Sequence, residues 1–328
     1  MAHGTDRVVS GVWRALWLML GVSIALPAWA APPLIAVTQI VEHPSLDAAR
    51  AGLLDGLAAH GLVQDRDFAY EFLSAQGSAV TAAQIAKAFV GKNPAVIVAI
   101  STPSAQAAAS ATKTIPIVFA AVTDPVSAGL VHVPPRPDTN ITGVTDRAPV
   151  PAQFALMVEI LPQLKHLGVI YNPGEANSAS LVRELKTEGA KRDIAVYEAS
   201  ISRAADVPAA IRSLANRCEA YWIPTDNMVV SALEAALNAA RNAHIPVFAA
   251  DAESVARGAI ASIGLDYRAS GRKAAESVIA IMKGGKPADL PVGDTGGSEL
   301  VINLKAAESF GLAIPDAVQK RASRIIAP

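Results

Sequence analysis

A chain of 328 residues with 28 Lys and Arg against 29 Asp and Glu is almost neutral, with a formal net charge of −1. Its length suits two domains of ordinary size. Charged residues make up 17% of the chain, less than the typical quarter, and 52% of the residues are hydrophobic. Since no basic stripe is present, we expect no nucleic-acid partner.

The first thirty residues have the pattern of an export signal. Arg7 and Arg14 precede an apolar run at 15–26, and Pro-Ala-Trp-Ala follows at 27–30. A membrane anchor is the alternative, but a spanning helix needs about 18 or more apolar residues. The pattern therefore predicts a signal peptide cleaved after Ala30, with no membrane segment in the chain that remains.

Apolar runs alternate with Ala-rich helical patterns along the first half of the chain. The predicted strands are 34–38, 68–73, 95–100, 117–122 and 140–143, and the predicted helices include one capped by Ser45 and ended by Gly61, then 80–90 and 105–112. Strands that alternate with helices of this length predict βαβ units and a parallel sheet.

The same pattern starts again after Arg147. Predicted strands at 167–171, 194–199, 220–223 and from 245 alternate with helices at 152–161, up to about 191, at 205–215 and up to 243. A helix at 270–283, a Gly- and Pro-rich linker to 297, a strand at 300–303 and helices at 304–310 and 315–322 complete the chain. Such a tail predicts several crossovers between two lobes, and hence a hinged clamp.

An internal repeat in the sequence pattern indicates two similar lobes. Ile115-Pro116 and Ile245-Pro246 each open an apolar strand after a strand, a polar loop and an Ala-rich helix. Each leads within about a dozen residues to a glycine, Gly129 or Gly258, that starts an apolar run. A chance repetition of a common unit remains the alternative.

Polar side chains gather where the predicted strands end and helices begin. Nine of them are candidate ligand-binding residues: Ser101, Thr102, Thr123, Asp124, Asn172, Ser178, Thr225, Asp226 and Asp251. The carboxyl ends of parallel strands border the ligand crevice of open α/β sheets. Helix N-termini suit a carboxylate there, and an Asp suits an ammonium group.

Each of these residues also has a purely structural interpretation as a helix cap or turn former. Asp124 and Asp226 are the strongest ligand candidates, because each is the only full charge at its strand exit. Asp251 has the specific alternative of capping the helix before Gly258.

Signals for catalysis are weak. No Gly-rich nucleotide motif, phosphate-binding lysine loop or nucleophile elbow is present. The six histidines show no metal-ligand spacing. We therefore predict no catalytic residue, no metal and no cofactor, although an exported α/β enzyme stays open as an alternative.

A distinctive combination of motifs lies in residues 115–119, 123–126, 129–131 and 140–143, with further motifs at 40–47, 171–178, 224–227 and 302–315. Together these segments resemble one group of ABC-transporter substrate-binding proteins, which includes tryptophan-binding members. The resemblance covers essentially all of the chain after the signal.

The resemblance implies the type I periplasmic-binding-protein fold, an α/β architecture of two Rossmann-like lobes with parallel sheets joined by three crossovers. The N-terminal lobe would comprise 31–146 and about 266–292, and the C-terminal lobe 147–265 and about 293–328. By similarity, the strand-exit residues that hold the carboxylate and amine of a bound amino acid would be Ser101, Thr102, Thr123, Asp124, Asn172, Ser178 and Asp226.

The implied function is that of a monomeric solute-binding component of an ABC importer. It would bind a small solute, an amino acid or a similar and even aromatic molecule, and deliver it to a permease in the inner membrane. The lone Cys218 offers no lipid anchor beside the cleavage site, so retention in a periplasm is expected. A ligand-sensing subunit for a membrane receptor is the alternative. Tyr171, Phe119 or Trp222 would either stack on an aromatic solute or pack in the core.

Overall fold

The computed structural model describes residues 31–133, 136 and 138–327. The predicted signal peptide at 1–30 lies outside these residues. None of the helices in the described ranges is long and apolar enough to cross a membrane.

Strands and helices alternate through most of the chain. The strands are β1 (Leu34–Gln39), β2 (Ala69–Ser74), β3 (Val96–Ile100), β4 (Ile117–Val122), β5 (Ile141–Thr145), β6 (His166–Tyr171), β7 (Ala195–Ser200), β8 (Ala220–Ile223), β9 (Val247–Ala249), β10 (Ala261–Leu265), β11 (Gly293–Asp294), β12 (Ser298–Asn303) and β13 (Arg324–Ile326). The helices are α1 (Pro44–Ala59), α2 (Ala79–Gly91), α3 (Thr102–Ala111), α4 (Val150–Ile160), α5 (Ala176–Ala190), α6 (Val207–Leu214), α7 (Asn227–Ser231), α8 (Leu233–Asn242), α9 (Ala252–Ala256), α10 (Tyr267–Met282), α11 (Leu304–Ser309) and α12 (Asp316–Arg321).

The strands form two lobes. The N-terminal lobe has a six-stranded parallel sheet in the order β11-β5-β4-β3-β1-β2. The C-terminal lobe has a four-stranded parallel sheet, β7-β6-β8-β9, and a three-stranded sheet in which β12 pairs with β10 antiparallel and with β13 parallel. Continuous apolar runs such as β3 and β4 are fully buried, as expected for strands covered by helices on both faces.

The order β2-β1-β3-β4 in one lobe matches β7-β6-β8-β9 in the other. The two strands that follow the Ile-Pro pairs, β4 and β9, therefore occupy equivalent positions. The interpretation of the internal repeat as two similar lobes is confirmed. The carboxyl ends of equivalent strands supply polar loops to the space between the lobes.

The chain passes between the lobes three times, after β5, after β10 and after β11. The second passage brings α10 back to the N-terminal lobe, where its residues share the core with α1 and the central strands. The third follows β11, which pairs with β5 before the chain enters β12. The lobe boundaries at 146 and 265 stay predictions that agree with this packing. The predicted boundary at about 292 falls just before β11, which pairs with β5 and so belongs to the N-terminal lobe.

Two local expectations are wrong, and one strand was missed. Ser45 does not cap α1, because the helix begins at Pro44 and its N-cap, His43, makes no side-chain capping bond. The long helix expected up to 243 is divided at Ala232 into α7 and α8. The short edge strand β13 was not expected at all.

Candidate functional site

A polar cavity lies between the lobes. The N-terminal lobe contributes His43, Ser45, Leu46, Ala121 and Thr123, the C-terminal lobe contributes Asn177, Thr225, Asn227, Val230 and Asp251, and Asp146 and Tyr267 line it where the chain passes between lobes. Three of the nine candidate residues, Thr123, Thr225 and Asp251, thus meet in one cavity, although they are far apart in sequence.

The lobes are closed on this cavity. Ser45 Oγ donates to Asp251 Oδ1 at 3.0 Å, and Thr123 Oγ1 lies 3.4 Å from Thr225 Oγ1. The volume left is about 10 Å³, room for about one water molecule. A larger solute must therefore separate these direct contacts and take their place.

Asp251 caps a helix and also lines the cavity. Its Oδ1 accepts the Ser254 backbone N–H at 2.9 Å, so it caps α9, and the same oxygen receives Ser45 from the opposite lobe. Its Oδ2 accepts Ser254 Oγ at 2.6 Å. The cap holds this carboxylate at the cavity wall, where it faces a partner that a solute could replace.

Asp146 places a second carboxyl group at the cavity. Its Oδ1 accepts Thr123 Oγ1 at 2.9 Å and its Oδ2 accepts the Tyr267 hydroxyl at 2.7 Å. Complete burial raises the pKa of Asp146, and the two hydroxyl donors only partly oppose this rise. The interaction links the exit of β4 to the start of α10.

The exits of β3 and β4 carry backbone strain. Ser101 has φ 88° and Ala121 has φ 55°, both in the left-handed region. Such conformations cost about 1–3 kcal/mol each and cluster at ligand sites. The Ser101 N–H donates to the Ala120 carbonyl at 2.9 Å, which holds Ser101 next to the cavity residue Ala121.

The start of α3 carries hydroxyl groups that have no hydrogen-bond partner in the part of the chain that the structure describes. They belong to Ser101, Thr102 and Ser104, which are 1%, 1% and 0% exposed. Buried polar groups normally find partners. Free hydroxyls at the N-terminus of a ten-residue helix make a suitable site for a carboxylate.

Asp226 lies behind the cavity wall rather than in it. Its Oδ2 accepts the Asn172 N–H and Ser178 Oγ, both at 2.7 Å, and its Oδ1 accepts the Val229 N–H at 3.0 Å. Burial raises the pKa of Asp226 against these hydrogen bonds. In this geometry Asp226, Asn172 and Ser178 brace the loop that carries Thr225, and direct contact of the three with solute stays a prediction.

Asp124 lies at the rim of the cleft. It accepts Ser180 Oγ at 2.7 Å from the other lobe and the Ser127 N–H at 3.0 Å, and Arg147 Nη1 lies 3.4 Å away. Partial burial opposes ionisation, but these hydrogen bonds and the Arg147 charge prevail and lower the pKa of Asp124 to about 2. Arg147 also binds Glu184 at 2.8 Å. These hydrogen bonds and ion pairs close the rim of the cleft.

Sequence reasoning missed several cavity residues. His43, Asn177 and Asn227 were not singled out, although each falls in a segment that carries the family resemblance. Burial lowers the pKa of His43 to about 4, so its imidazole is neutral at neutral pH. Among the described residues, no group of three or more His, Cys, Asp and Glu side chains is arranged to hold a metal ion.

The aromatic residues weighed as stacking partners lie elsewhere. Phe119 and Trp222 are fully buried in the cores, and the Trp222 indole donates to Gln153 at 3.0 Å. Their interpretation as core residues is confirmed. Tyr171 donates to Glu198 at 2.7 Å, outside the cavity lining.

Comparison with known proteins identifies the class. The family model described as ABC transporter substrate binding protein matches residues 34–326, so the chain belongs to this family. Its members are extracytoplasmic receptors that bind small solutes and work with ABC permeases, which favours the importer over the sensor alternative. They are solute-binding proteins and not enzymes.

Three relatives are similar to this chain over most of its length. A tyrosine-binding protein of Clostridioides difficile strain R20291 is 39% identical over 277 residues, 84% of this chain and 80% of the relative. The ABC domain of Streptococcus pneumoniae in complex with L-Trp has a TM-score of 0.86 at 32% identity, covering 90% of this chain and 100% of the other. A ligand-free, open substrate-binding protein of Clostridium difficile has a TM-score of only 0.67 at 35% identity, with the same coverage. The poorer match to the open form, despite its higher identity, agrees with a closed cleft here.

A conserved domain protein of Vibrio cholerae O1 biovar El Tor is also similar. It is 48% identical, with a TM-score of 0.87, and the match covers 89% of this chain and 99% of that one. The fold therefore extends over essentially the whole described chain.

Proposed function

We propose that this protein is the receptor of an ABC importer for an aromatic α-amino acid of the tyrosine or tryptophan type. The observation that carries the proposal is the closed polar cavity, in which the carboxylate of Asp251 reaches a donor from the opposite lobe. Two similar proteins, one named for tyrosine and one solved with L-Trp, support the solute class.

The two charged ends of the solute would bind on opposite sides of the cleft. Its carboxylate would accept hydrogen bonds from the unpartnered hydroxyls of Ser101 and Thr102 and face the positive end of α3. Its ammonium group would take the place of the Ser45 hydroxyl at Asp251. The apolar side chains Leu46 and Val230 would then cover the ring.

Binding and closure are coupled in this proposal. The solute bridges lobes that otherwise touch through Ser45 and Asp251 and through Thr123 and Thr225. A ligand shifts the open–closed equilibrium only by its differential affinity for the two states. The closed surface, including the rim at Asp124, would be what the inner-membrane permease recognises. We further propose that the chain works as a periplasmic monomer after cleavage at Ala30.

A thermal-shift screen of residues 31–328 against the standard amino acids tests the proposal. A ligand at a hundredfold excess over Kd stabilises the folded form by about 2.7 kcal/mol, which for a chain of this size raises Tm by roughly 5 °C. We expect this shift for L-tyrosine or L-tryptophan and little for their amine-free or carboxylate-free analogues. If no amino acid shifts Tm, the proposed solute class is wrong.

A further inference from the structure

Glu175 is a buried acid with no place in the cavity lining. It is 4% exposed and precedes α5, but its side chain makes no capping bond to that helix. Its Oε2 instead accepts the Asn227 backbone N–H at 3.1 Å, Asn227 Nδ2 at 2.5 Å and Asn177 Nδ2 at 3.2 Å. Both asparagines line the cavity. Glu175 is thus the acceptor on which the two amides converge.

These contacts fix the orientation of the Asn177 amide. Its Nδ2 also donates to the Thr225 carbonyl oxygen at 2.7 Å, an atom that can only accept. A flipped amide would set Asn177 Oδ1 against that oxygen and against the Glu175 carboxyl. The nitrogen therefore faces the protein.

The Asn177 carbonyl oxygen is left without a donor in the described ranges. Oδ1 lies on the opposite side of the amide from Nδ2, and the residue is only 3% exposed. A buried acceptor without a partner costs about 1–3 kcal/mol. An N–H donor brought by a bound solute would remove that cost.

Asn227 is oriented in the same way. Because its Nδ2 and its backbone N–H both point at Glu175, its Oδ1 lies on the other edge of the amide plane. The Asn227 side chain raises the pKa of His43, across the cleft in the other lobe, against the larger effect of burial, which is the effect of an amide oxygen that accepts from the imidazole. Both amides therefore turn their nitrogens toward Glu175 and leave their oxygens as acceptors on the cleft side.

We propose that Glu175 is a positioning residue that holds Asn177 and Asn227 with their carbonyl oxygens toward the cleft, and so makes the site select solutes that carry an ammonium group. The inference rests on the proposed function, since it assigns the amine end of the same site. Glu175 does not touch the solute and acts through the two amides.

The carboxyl group suits this task at neutral pH. Burial and the negative charge of Asp226 raise the pKa of Glu175 to about 8, against the hydrogen bonds that it accepts. The raised pKa favours the neutral form of Glu175, which avoids a second negative charge beside Asp226. Glutamine has nearly the same shape, is neutral and keeps one acceptor oxygen, so Glu175→Gln is the conservative variant.

The test compares the affinities of an amino acid and its amine-free analogue by calorimetry. The probes are L-tyrosine with 3-(4-hydroxyphenyl)propanoate, and L-tryptophan with indole-3-propanoate. In Glu175→Ala we expect the preference for the amino acid to fall about tenfold, the equivalent of one hydrogen bond to a charged group. In Glu175→Gln the preference should stay within about threefold of wild type.

Glu188→Ala is the matched control. Glu188 is another poorly exposed acid, 4% exposed, on the far end of α5, and it pairs only with Lys191 and Arg192 among its side-chain partners. The Glu188→Ala variant should leave the preference for the amino acid over its amine-free analogue unchanged. If Glu175→Ala weakens both members of each pair equally, Glu175 has only a structural role and the inference is overturned.

Asn177→Ala tests the inference if Glu175→Ala does not fold. It removes the acceptor itself, so the preference for the amino acid should fall to a similar degree. A wild-type preference in Asn177→Ala would overturn the inference, while the wild-type protein would still bind the amino acid. If the wild-type protein binds neither amino acid, the proposed function falls and this inference falls with it.

Discussion

Gly271→Ala will lower the free energy of unfolding by about 3 kcal/mol or more, at the upper end of the cost of overpacking a core. A Cβ at Gly271 would lie 1.9 Å from the Ala49 carbonyl oxygen and 2.7 Å from the Leu53 nitrogen. Both atoms are backbone atoms of α1, so no side chain can move aside. Helices α1 and α10 would have to separate.

The packing is tight from both sides. A Cβ at Gly52 of α1 would in turn lie 2.0 Å from the Arg268 carbonyl oxygen of α10. Because α10 starts at Tyr267, which lines the cavity, we expect Gly271→Ala to disturb the binding site as well as the core.

Gly91→Ala is the matched control for urea denaturation. Gly91 ends α2, and a Cβ there would meet nothing within 4 Å. The same substitution should therefore be neutral or stabilise by up to about 1 kcal/mol through helix propensity. Equal stability of Gly271→Ala and wild type would show that the two helices lie farther apart than the structure places them.

Asp251→Asn will lower the affinity for an amine-bearing solute about a hundredfold. Truncating or neutralising one partner of a buried charge pair costs roughly 2–5 kcal/mol. Asparagine fills the same space and caps helices as well as aspartate does. The change therefore removes the charge at the cavity and keeps the start of α9.

Asp266→Asn is the matched control, because it makes the same substitution at a helix cap that lies outside the cavity lining. Asp266 Oδ1 caps α10 by accepting the Ala269 N–H at 2.9 Å, but the residue is not among those that line the cavity. Titration calorimetry should give wild-type affinity for this variant. Unchanged affinity in Asp251→Asn would remove Asp251 from the amine site.

Much of the fold could be predicted because the central strands are covered on both faces. The continuous apolar runs of β3 and β4 are fully buried, and the sequence shows them directly. By contrast, β13 is a three-residue edge strand, mostly exposed, and it exists only because it pairs with β12. No local sequence pattern predicts such a strand.

The sequence predicted the location of the site better than it predicted the residues that line it. The carboxyl ends of the strands predicted where the cleft lies, and the structure brings Thr123, Thr225 and Asp251 together there. Sequence could not show that the Asp226 carboxylate turns inward to the Asn172 and Ser178 donors of its own lobe.

Tertiary contacts also decide what the capping residues do. A serine at the start of a helical pattern predicts a cap, yet Ser45 donates to a carboxylate 206 residues away in the chain. Likewise, an asparagine after a strand resembles a turn former, and only the convergence on Glu175 distinguishes Asn177 and Asn227 from one.

Calorimetric titration of residues 31–328 with L-tyrosine and L-tryptophan tests the central claim most directly, since it measures binding and closure together. We expect one solute to bind per chain, with the negative heat-capacity change that follows when closing lobes bury apolar surface. A folded wild-type protein that gives no binding heat with either solute at any temperature would contradict the claim that this cleft is an aromatic amino-acid receptor.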